Sequence, residues 1–162
     1  VYKVHQRDLG WTKWIQNGEW AGEKGKAKQI EAIRIKDAVV MSCAHVENEG
    51  WLDWEPDGET VGTTGANLKL EAIKIDGLGK QVTAKAHIEE IGWVDYGEVT
   101  KDTIIGTVGK NKALECICLK GEFEYRVHLA ESGWTDWTKA DGISTLGTVG
   151  QALQMEAIEF RR

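Results

Sequence analysis

One unit of about 41 residues is written four times along this chain, and that repetition constrains the fold more than any other feature. A Gly-Trp pair marks each unit, and the steps between successive tryptophans are 40, 42 and 41 residues. The Gly-Trp tryptophans are Trp11, Trp51, Trp93 and Trp134. Repetition at this period is typical of propellers, solenoids and other architectures whose single unit cannot bury its own core.

Each Gly-Trp tryptophan lies within a longer pattern that recurs in the same order. A histidine precedes it, a second aromatic residue follows three positions later, and a Gly-x-x-Gly loop and a glutamate come next. The histidines are His5, His45, His87 and His128; the second aromatic residues are Trp14, Trp54, Tyr96 and Trp137; the glutamates are Glu31, Glu71, Glu115 and Glu156. The pattern predicts one repeat domain over residues 1–162, with repeats at 1–37, 38–77, 78–120 and 121–162.

Each repeat is predicted to contain three or four β-strands. The segment LKLEAIKID, residues 68–76, alternates between two faces, and both carry apolar residues, so this strand should be buried on both sides. The DGLG that follows is typical of a hairpin turn. No segment shows a convincing helical period, and the fold class is therefore all-β.

Four complete repeats favour closure into one pseudo-symmetric unit. A repeat of this length matches a propeller blade, so a four-bladed propeller is the favoured architecture. The alternative is a threefold closure, of the β-trefoil or β-prism kind, with an extra repeat appended. Trefoil units have a similar length, so both architectures stay open at this point.

The net charge, the lengths of the apolar runs and the cysteine count exclude several classes of function. A net charge of −6 opposes binding to phosphate backbones, so no nucleic-acid partner is expected. No apolar run approaches the roughly 18 residues of a membrane-spanning helix. The first residues are not a signal peptide, which indicates a cytosolic protein or a fragment of a processed one. The three cysteines form neither a disulfide framework nor a zinc signature and should be reduced, packed thiols.

The two sets of aromatic residues are expected to have different tasks. The Gly-Trp tryptophans should anchor each repeat at a strand corner, with a sugar-stacking platform as the alternative. The second aromatic residues lie beside aspartates, and an aromatic face next to a carboxylate suits a sugar. Three ligand sites are therefore predicted at Trp54 with Asp53, Tyr96 with Asp95, and Trp137 with Asp136. Trp14, which lies beside Lys13 instead of an aspartate, should be a weak or lost fourth site.

The histidines, loops and glutamates are interpreted as structural. Four histidines in phase could bind a metal if the repeats closed with fourfold symmetry, but hydrogen bonds to the recurring glutamates, tying one repeat to the next, are the preferred interpretation. The Gly-x-x-Gly loops lack the lysine and helix of a phosphate-binding loop and are turns. Active sites break symmetry, whereas the informative residues here are repeated. No catalytic residue, metal or cofactor is therefore expected.

The pattern of a histidine, Gly-Trp-x-Asp-Trp, Gly-Thr-Thr-Gly and Leu-Glu-Ala-Ile resembles the clostridial hydrophobic repeats with a conserved Gly-Trp, called ChW repeats. The resemblance covers essentially the whole chain; Lys13 and Tyr96 depart from it. It implies an extracellular or cell-surface protein of a clostridium-like bacterium that attaches to polysaccharides or proteins. The predicted function is a non-catalytic, multivalent module that binds polysaccharide; the alternative is a protein–protein adhesion or scaffold module without a sugar site. Its oligomeric state stays open.

Overall fold

The computed structural model describes residues 1–16, 18–151 and 153–162. Over these residues the chain forms sixteen β-strands and no helix, which confirms the all-β prediction. The chain divides into two compact units, residues 1–38 and residues 39–162. The described residues include no helical segment with the length and hydropathy needed to span a membrane.

The unit at residues 1–38 is a three-stranded antiparallel sheet. Its strands are β1 (Tyr2–Gln6), β2 (Gly10–Trp11) and β3 (Ile30–Ile35), in the order β2-β1-β3. The buried apolar residues of this unit are few and include Val4, Trp14 and Ile15. The sheet therefore has only a small core of its own.

The unit at residues 39–162 contains repeats two to four in two antiparallel sheets. Its strands are β4 (Met41–Val46), β5 (Gly50–Trp51), β6 (Glu55–Pro56), β7 (Thr60–Gly62), β8 (Leu70–Asp76), β9 (Val82–Ile88), β10 (Gly92–Val99), β11 (Ile105–Gly106), β12 (Leu114–Leu129), β13 (Gly133–Trp134), β14 (Thr138–Asp141), β15 (Leu146–Gly147) and β16 (Met155–Arg161). One sheet has the order β11-β8-β4-β5, with β6 on β4. The other has the order β10-β9-β12-β16-β7, with β13, β14 and β15 on β12.

The same three-strand arrangement recurs in every repeat. A strand that carries the histidine lies between the Gly-Trp strand and a strand that carries the glutamate, here called the glutamate strand. The glutamate strands are β3, β8, the first half of β12, and β16. β8 is buried on both faces, as the sequence predicts, and so is β16, because the core of residues 39–162 packs against them.

Three short strands connect repeats two to four to one another. Strand β7 of repeat two pairs with β16 of repeat four, β11 of repeat three pairs with β8 of repeat two, and β15 of repeat four pairs with β12 in repeat three. Each short strand ends at the first glycine of its Gly-x-x-Gly loop. No sheet in the described parts of the chain closes into a barrel.

The three cysteines are free, buried thiols. Burial raises the pKa of Cys43 to about 11 and also raises the pKa values of Cys116 and Cys118. Because the thiolate is the reactive form, these side chains act as small packed groups at neutral pH.

Candidate ligand-binding surface

The Gly-Trp tryptophans lie on the surface. Trp11, Trp51 and Trp93 are between 37% and 51% exposed, and Trp134 is partly exposed. The expectation that they anchor the core is therefore wrong, and the rings have the surface position that the alternative, a sugar-stacking platform, requires. The positive φ of the preceding glycine, for example 93° at Gly92, makes the corner that turns the ring outward.

A histidine holds each of these rings from the neighbouring strand. The register places each histidine directly opposite its tryptophan in an antiparallel pair. The rings meet edge to face, with centroids 5.2–5.5 Å apart. This geometry is favourable for aromatic pairs and fixes the orientation of the tryptophan without burying it.

A glutamate approaches the histidine from the other side. In each repeat a register shift places the glutamate at a β-bulge, between two residues that pair normally. A bulge re-aims a side chain, and here it brings the carboxylate to the histidine Nδ1. The distances from Nδ1 to the carboxylate oxygen are 3.2 Å for His5–Glu31, 2.9 Å for His45–Glu71, 2.8 Å for His87–Glu115 and 3.0 Å for His128–Glu156.

Glu71 and Glu156 are buried, and each carboxylate lies beside the histidine of its own repeat, the partner that the preferred interpretation gives it. The pair His87–Glu115 has full hydrogen-bond geometry, whereas His45 and His128 have a carboxylate oxygen close to Nδ1 but misaligned for a hydrogen bond. Each pair lies within one repeat and does not tie one repeat to the next. Within the described residues, no group of three or more metal-ligating side chains is placed to hold a metal ion.

The second aromatic residues lie deeper than the Gly-Trp tryptophans. Trp14 is buried, while Trp54, Tyr96 and Trp137 are half-buried. Tyr96 packs against the core, and its hydroxyl accepts a hydrogen bond from the Gly106 N–H at 2.9 Å. The aspartates predicted beside them are exposed: Asp53, Asp95 and Asp136. Each predicted site thus combines an exposed carboxylate with a ring that is largely covered.

Cationic side chains cover most of the exposed rings. In repeat one Lys3 lies over both Trp11 and Trp14, with its Nζ 5.7 Å and 4.5 Å from the ring centroids. In repeat four Arg126 lies 4.7 Å from the centroids of both Trp134 and Trp137. Cation–π contacts of this kind hold the cation against the ring.

In repeats one and two a cation of the glutamate strand also lies over the Gly-Trp ring. Arg34 lies 4.9 Å from the centroid of Trp11, and Lys74 lies 4.7 Å from that of Trp51. At the equivalent position repeat three has Cys118, which is buried. Among the described residues, no lysine or arginine covers the ring of Trp93.

Trp93 instead faces an open groove of about 450 Å³. Lys85 and Asp95 line the groove and form an ion pair with an Nζ–Oδ2 distance of 3.2 Å. A hydrogen bond from the Gly97 N–H, and then the one from Lys85, lower the pKa of Asp95 below its ordinary value. The carboxylate is therefore ionised at neutral pH and available as an acceptor.

A loop of repeat four also lines this groove, through Ile143 and Thr145. Asp141 holds the loop in shape, because its carboxylate accepts N–H bonds from Ile143 at 2.8 Å and Ser144 at 2.7 Å. These bonds, led by that of Ser144, lower the pKa of Asp141. The loop lies between the second aromatic residue and the Gly-x-x-Gly, where repeats three and four are longer than the first two.

Repeat one has a groove of about 380 Å³ beside its own Gly-Trp tryptophan. Trp11, Lys13 and Glu23 are among the residues that line it. A groove therefore adjoins the Gly-Trp ring in two repeats, although their polar residues differ.

Asp95, one of the predicted ligand residues, lines this groove together with Trp93, which was expected in the core, and with Lys85 and Ile143, which the repeat pattern does not single out. The spacing of six residues between histidine and tryptophan was a usable signal, because a tight turn between them places the two residues opposite each other. Lys85 and Ile143 lie outside the repeating pattern, and no periodicity could have identified them.

Comparison with known families gives one match. The model of the family described as Clostridial hydrophobic W matches the chain four times, at residues 5–36, 45–76, 87–120 and 128–161. No curated protein and no solved structure matches the chain.

Proposed function

Because this chain belongs to the Clostridial hydrophobic W family, with four matched repeats, we propose that it is a non-catalytic, multivalent module that binds polysaccharide at a bacterial cell surface. The observation that carries the proposal is the exposed ring of Trp93, which no cation among the described residues covers and which faces a groove lined by Asp95 and Lys85. An apolar platform with a few convergent polar groups is typical of small-ligand sites.

The chemistry of the groove suits a sugar ring. One face of a pyranose presents C–H groups that stack on an indole, and its edge presents hydroxyls. The Asp95 carboxylate can accept bonds from those hydroxyls, and the Lys85 ammonium can donate to them. The exposed Ile143, which also lines the groove, supplies an apolar contact.

The other repeats provide related sites of unequal strength. Asp53 beside Trp54 and Asp136 beside Trp137 place a carboxylate near the partly covered rings of repeats two and four. Repeat one has Lys13 instead of an aspartate and a buried Trp14, so it should be the weakest site for a neutral sugar. We expect a ligand to displace Lys74 from the Trp51 ring in repeat two, whereas Trp93 needs no such step.

The test is the variant Trp93→Ala, measured by retention on an insoluble polysaccharide. Retention should weaken about two- to tenfold, because an aromatic contact contributes roughly 0.5–1.5 kcal/mol. The melting midpoint should change little, since the ring is on the surface. The control is Trp20→Ala, which removes an exposed tryptophan outside the Gly-Trp set and should leave retention unchanged.

Tryptophan fluorescence distinguishes this function from protein–protein adhesion. A soluble oligosaccharide of the retained polymer should quench the wild-type fluorescence, and Trp93→Ala should lose part of that response. Flat fluorescence with every polysaccharide, together with specific retention of a surface protein, would favour the adhesion alternative.

We also infer that repeats two to four are related by a threefold axis, with repeat one as an extra repeat, in preference to a four-bladed propeller. Three equivalent strand pairings support this arrangement. The short strand of repeat two pairs with the glutamate strand of repeat four. That of repeat four pairs with repeat three, and that of repeat three pairs with repeat two, so the three pairings form a closed cycle. An eight-stranded sheet that contains strands of all three repeats also differs from the separate blades of a propeller.

A further inference from the structure

The glutamate strand of repeat one, β3, is exposed along its whole length. Ile33 is 59% exposed, whereas the isoleucines at the equivalent position of the other repeats, Ile73, Ile117 and Ile158, are at most 1% exposed. Ile30 and Ile35 are also exposed. Three large apolar side chains along one short strand form the kind of surface that usually marks an interaction site.

The other repeats show what covers this strand. Val61 pairs with Ile158, Ile105 with Ile73, and Leu146 with Ile117, so each isoleucine lies beside the residue before a loop glycine of another repeat. The threonine that follows this glycine donates its N–H to the main-chain carbonyl of the glutamate on the covered strand, as Thr107 does to Glu71 at 3.0 Å. Within the described residues, β3 pairs along its length with β1 alone, and its other edge has no strand.

Repeat one also carries the complementary half of this contact. Ala21 and Gly22 stand where the other repeats have the paired apolar residue and the loop glycine, and Gly22 has the positive φ of that glycine, 99°. Each copy of repeat one therefore contains both an uncovered glutamate strand and the segment that corresponds to the covering strand of the other repeats.

We propose that β3 is covered by repeat one of a second copy of this chain, and that three copies close into a homotrimer through their first repeats. The number three follows from repeats two to four, where the same contact between a short strand and a glutamate strand forms a closed cycle of three repeats. A head-to-tail contact forms a closed ring when its rotation closes, and an open filament when it does not. Main-chain pairing on an exposed sheet edge is a general mode of association.

Gln6 competes with this assembly in the single chain. Its Oε1 accepts a hydrogen bond from the Glu23 N–H at 3.0 Å, so it takes the place of the glutamate carbonyl that receives this bond in the other repeats. The equivalent residues there are apolar: Val46, Ile88 and Leu129. In the trimer the Glu23 N–H is expected to bond the Glu31 carbonyl of a neighbouring copy instead.

Sedimentation equilibrium over a wide range of chain concentrations tests the proposal, because association follows mass action. The wild-type chain should move from one to three times the chain mass as concentration rises. The variant Ile33→Lys should stay monomeric, with an unchanged circular dichroism spectrum because the side chain is exposed. The control Ile143→Lys places the same charge at another exposed isoleucine, in repeat four, and should trimerise like the wild type.

A second variant, Gln6→Leu, removes the competing acceptor and should shift trimer formation to lower concentration. A wild-type chain that stays monomeric, stops at a dimer or grows into open polymers would overturn the proposal. So would an Ile33→Lys variant that still trimerises, or loss of association in the Ile143→Lys control. None of these outcomes depends on polysaccharide binding, so this inference and the proposed function can fail separately.

Discussion

A glutamate recurs at the same position of every repeat, but its exposure to solvent differs between repeats. The side chain of Glu71 is 6% exposed and lies 2.9 Å from His45, whereas that of Glu31 is 38% exposed and lies 3.2 Å from His5. Burying a carboxylate is unfavourable unless a partner compensates. The same pair should therefore matter for stability in repeat two and contribute little in repeat one.

The variant Glu71→Ala is expected to lower the free energy of unfolding by about 1–3 kcal/mol, because it leaves the half-buried His45 without its carboxylate. The matched variant Glu31→Ala should change it by less than about 0.5 kcal/mol, since solvent screens the exposed pair. Denaturant titration followed by circular dichroism measures both. Equal shifts in the two variants would show that burial of the pair does not determine its contribution.

At the residue scale, the sequence predicted the burial of the glutamates better than the position of the Gly-Trp tryptophans. Glu71 alternates with apolar residues and follows the repeat, so its burial and its need for a partner could be inferred. The bulge that directs it to His45 could not, because a bulge depends on the register of a strand far along the chain. Trp51 was assigned to the core because its position never varies among the four repeats, but an edge-to-face contact with His45 is enough to hold the ring at the surface.

At the scale of elements, the first glycine of each Gly-x-x-Gly loop determines how repeats two to four join. An added Cβ on Gly106 would lie 2.3 Å from the Glu71 carbonyl oxygen and 2.8 Å from the Ala72 Cα. Gly62 and Gly147 are similarly close to the glutamate strands that they meet. Only glycine allows the short strand to approach this closely with a φ near 114°.

The variant Gly106→Ala should destabilise residues 39–162 by about 2–4 kcal/mol, because the new methyl group separates β11 from β8. The control is Gly109→Ala in the same loop, where φ is 69° and an added Cβ meets nothing within 4 Å. That change should have an effect of about 1 kcal/mol, the strain of the left-handed backbone alone. Thermal unfolding measures the difference, and comparable losses in both variants would contradict a packing role for Gly106.

The sequence predicted the loop at Gly106 as a turn, and the structure agrees. It did not indicate that the two residues ending at this glycine form a strand on another repeat. Such a pairing joins residues far apart in the chain, and a two-residue strand has no periodicity to detect. The number of repeats could be read directly, while their connection depended on contacts that one repeat alone does not specify.

At the scale of the whole molecule, the proposed function has four repeats bind one polymer, and the length of the ligand should then matter more than its chemistry at any single site. When one site holds a polymer, the next meets it at a high effective concentration, and avidity can exceed the single-site affinity by roughly 10²–10⁴. The first-repeat trimer would add a second source of avidity, between copies. The two sources can be separated, because Ile33 lies in β3 and in none of the grooves that adjoin Trp11 and Trp93.

In the monomeric Ile33→Lys background, the chain should bind a long polysaccharide at least about a hundredfold more tightly than an oligosaccharide that fills one site. Replacing Trp11, Trp51 and Trp134 by alanine should reduce that ratio towards one and leave the oligosaccharide affinity nearly intact, because Trp93 is retained. The wild-type trimer should show a larger ratio than the monomeric background. Isothermal titration with the oligosaccharide and depletion binding on the polymer give the two affinities. A ratio near one in the Ile33→Lys chain would mean that its repeats engage the polymer one at a time, and any gain in the wild type would then come from assembly alone.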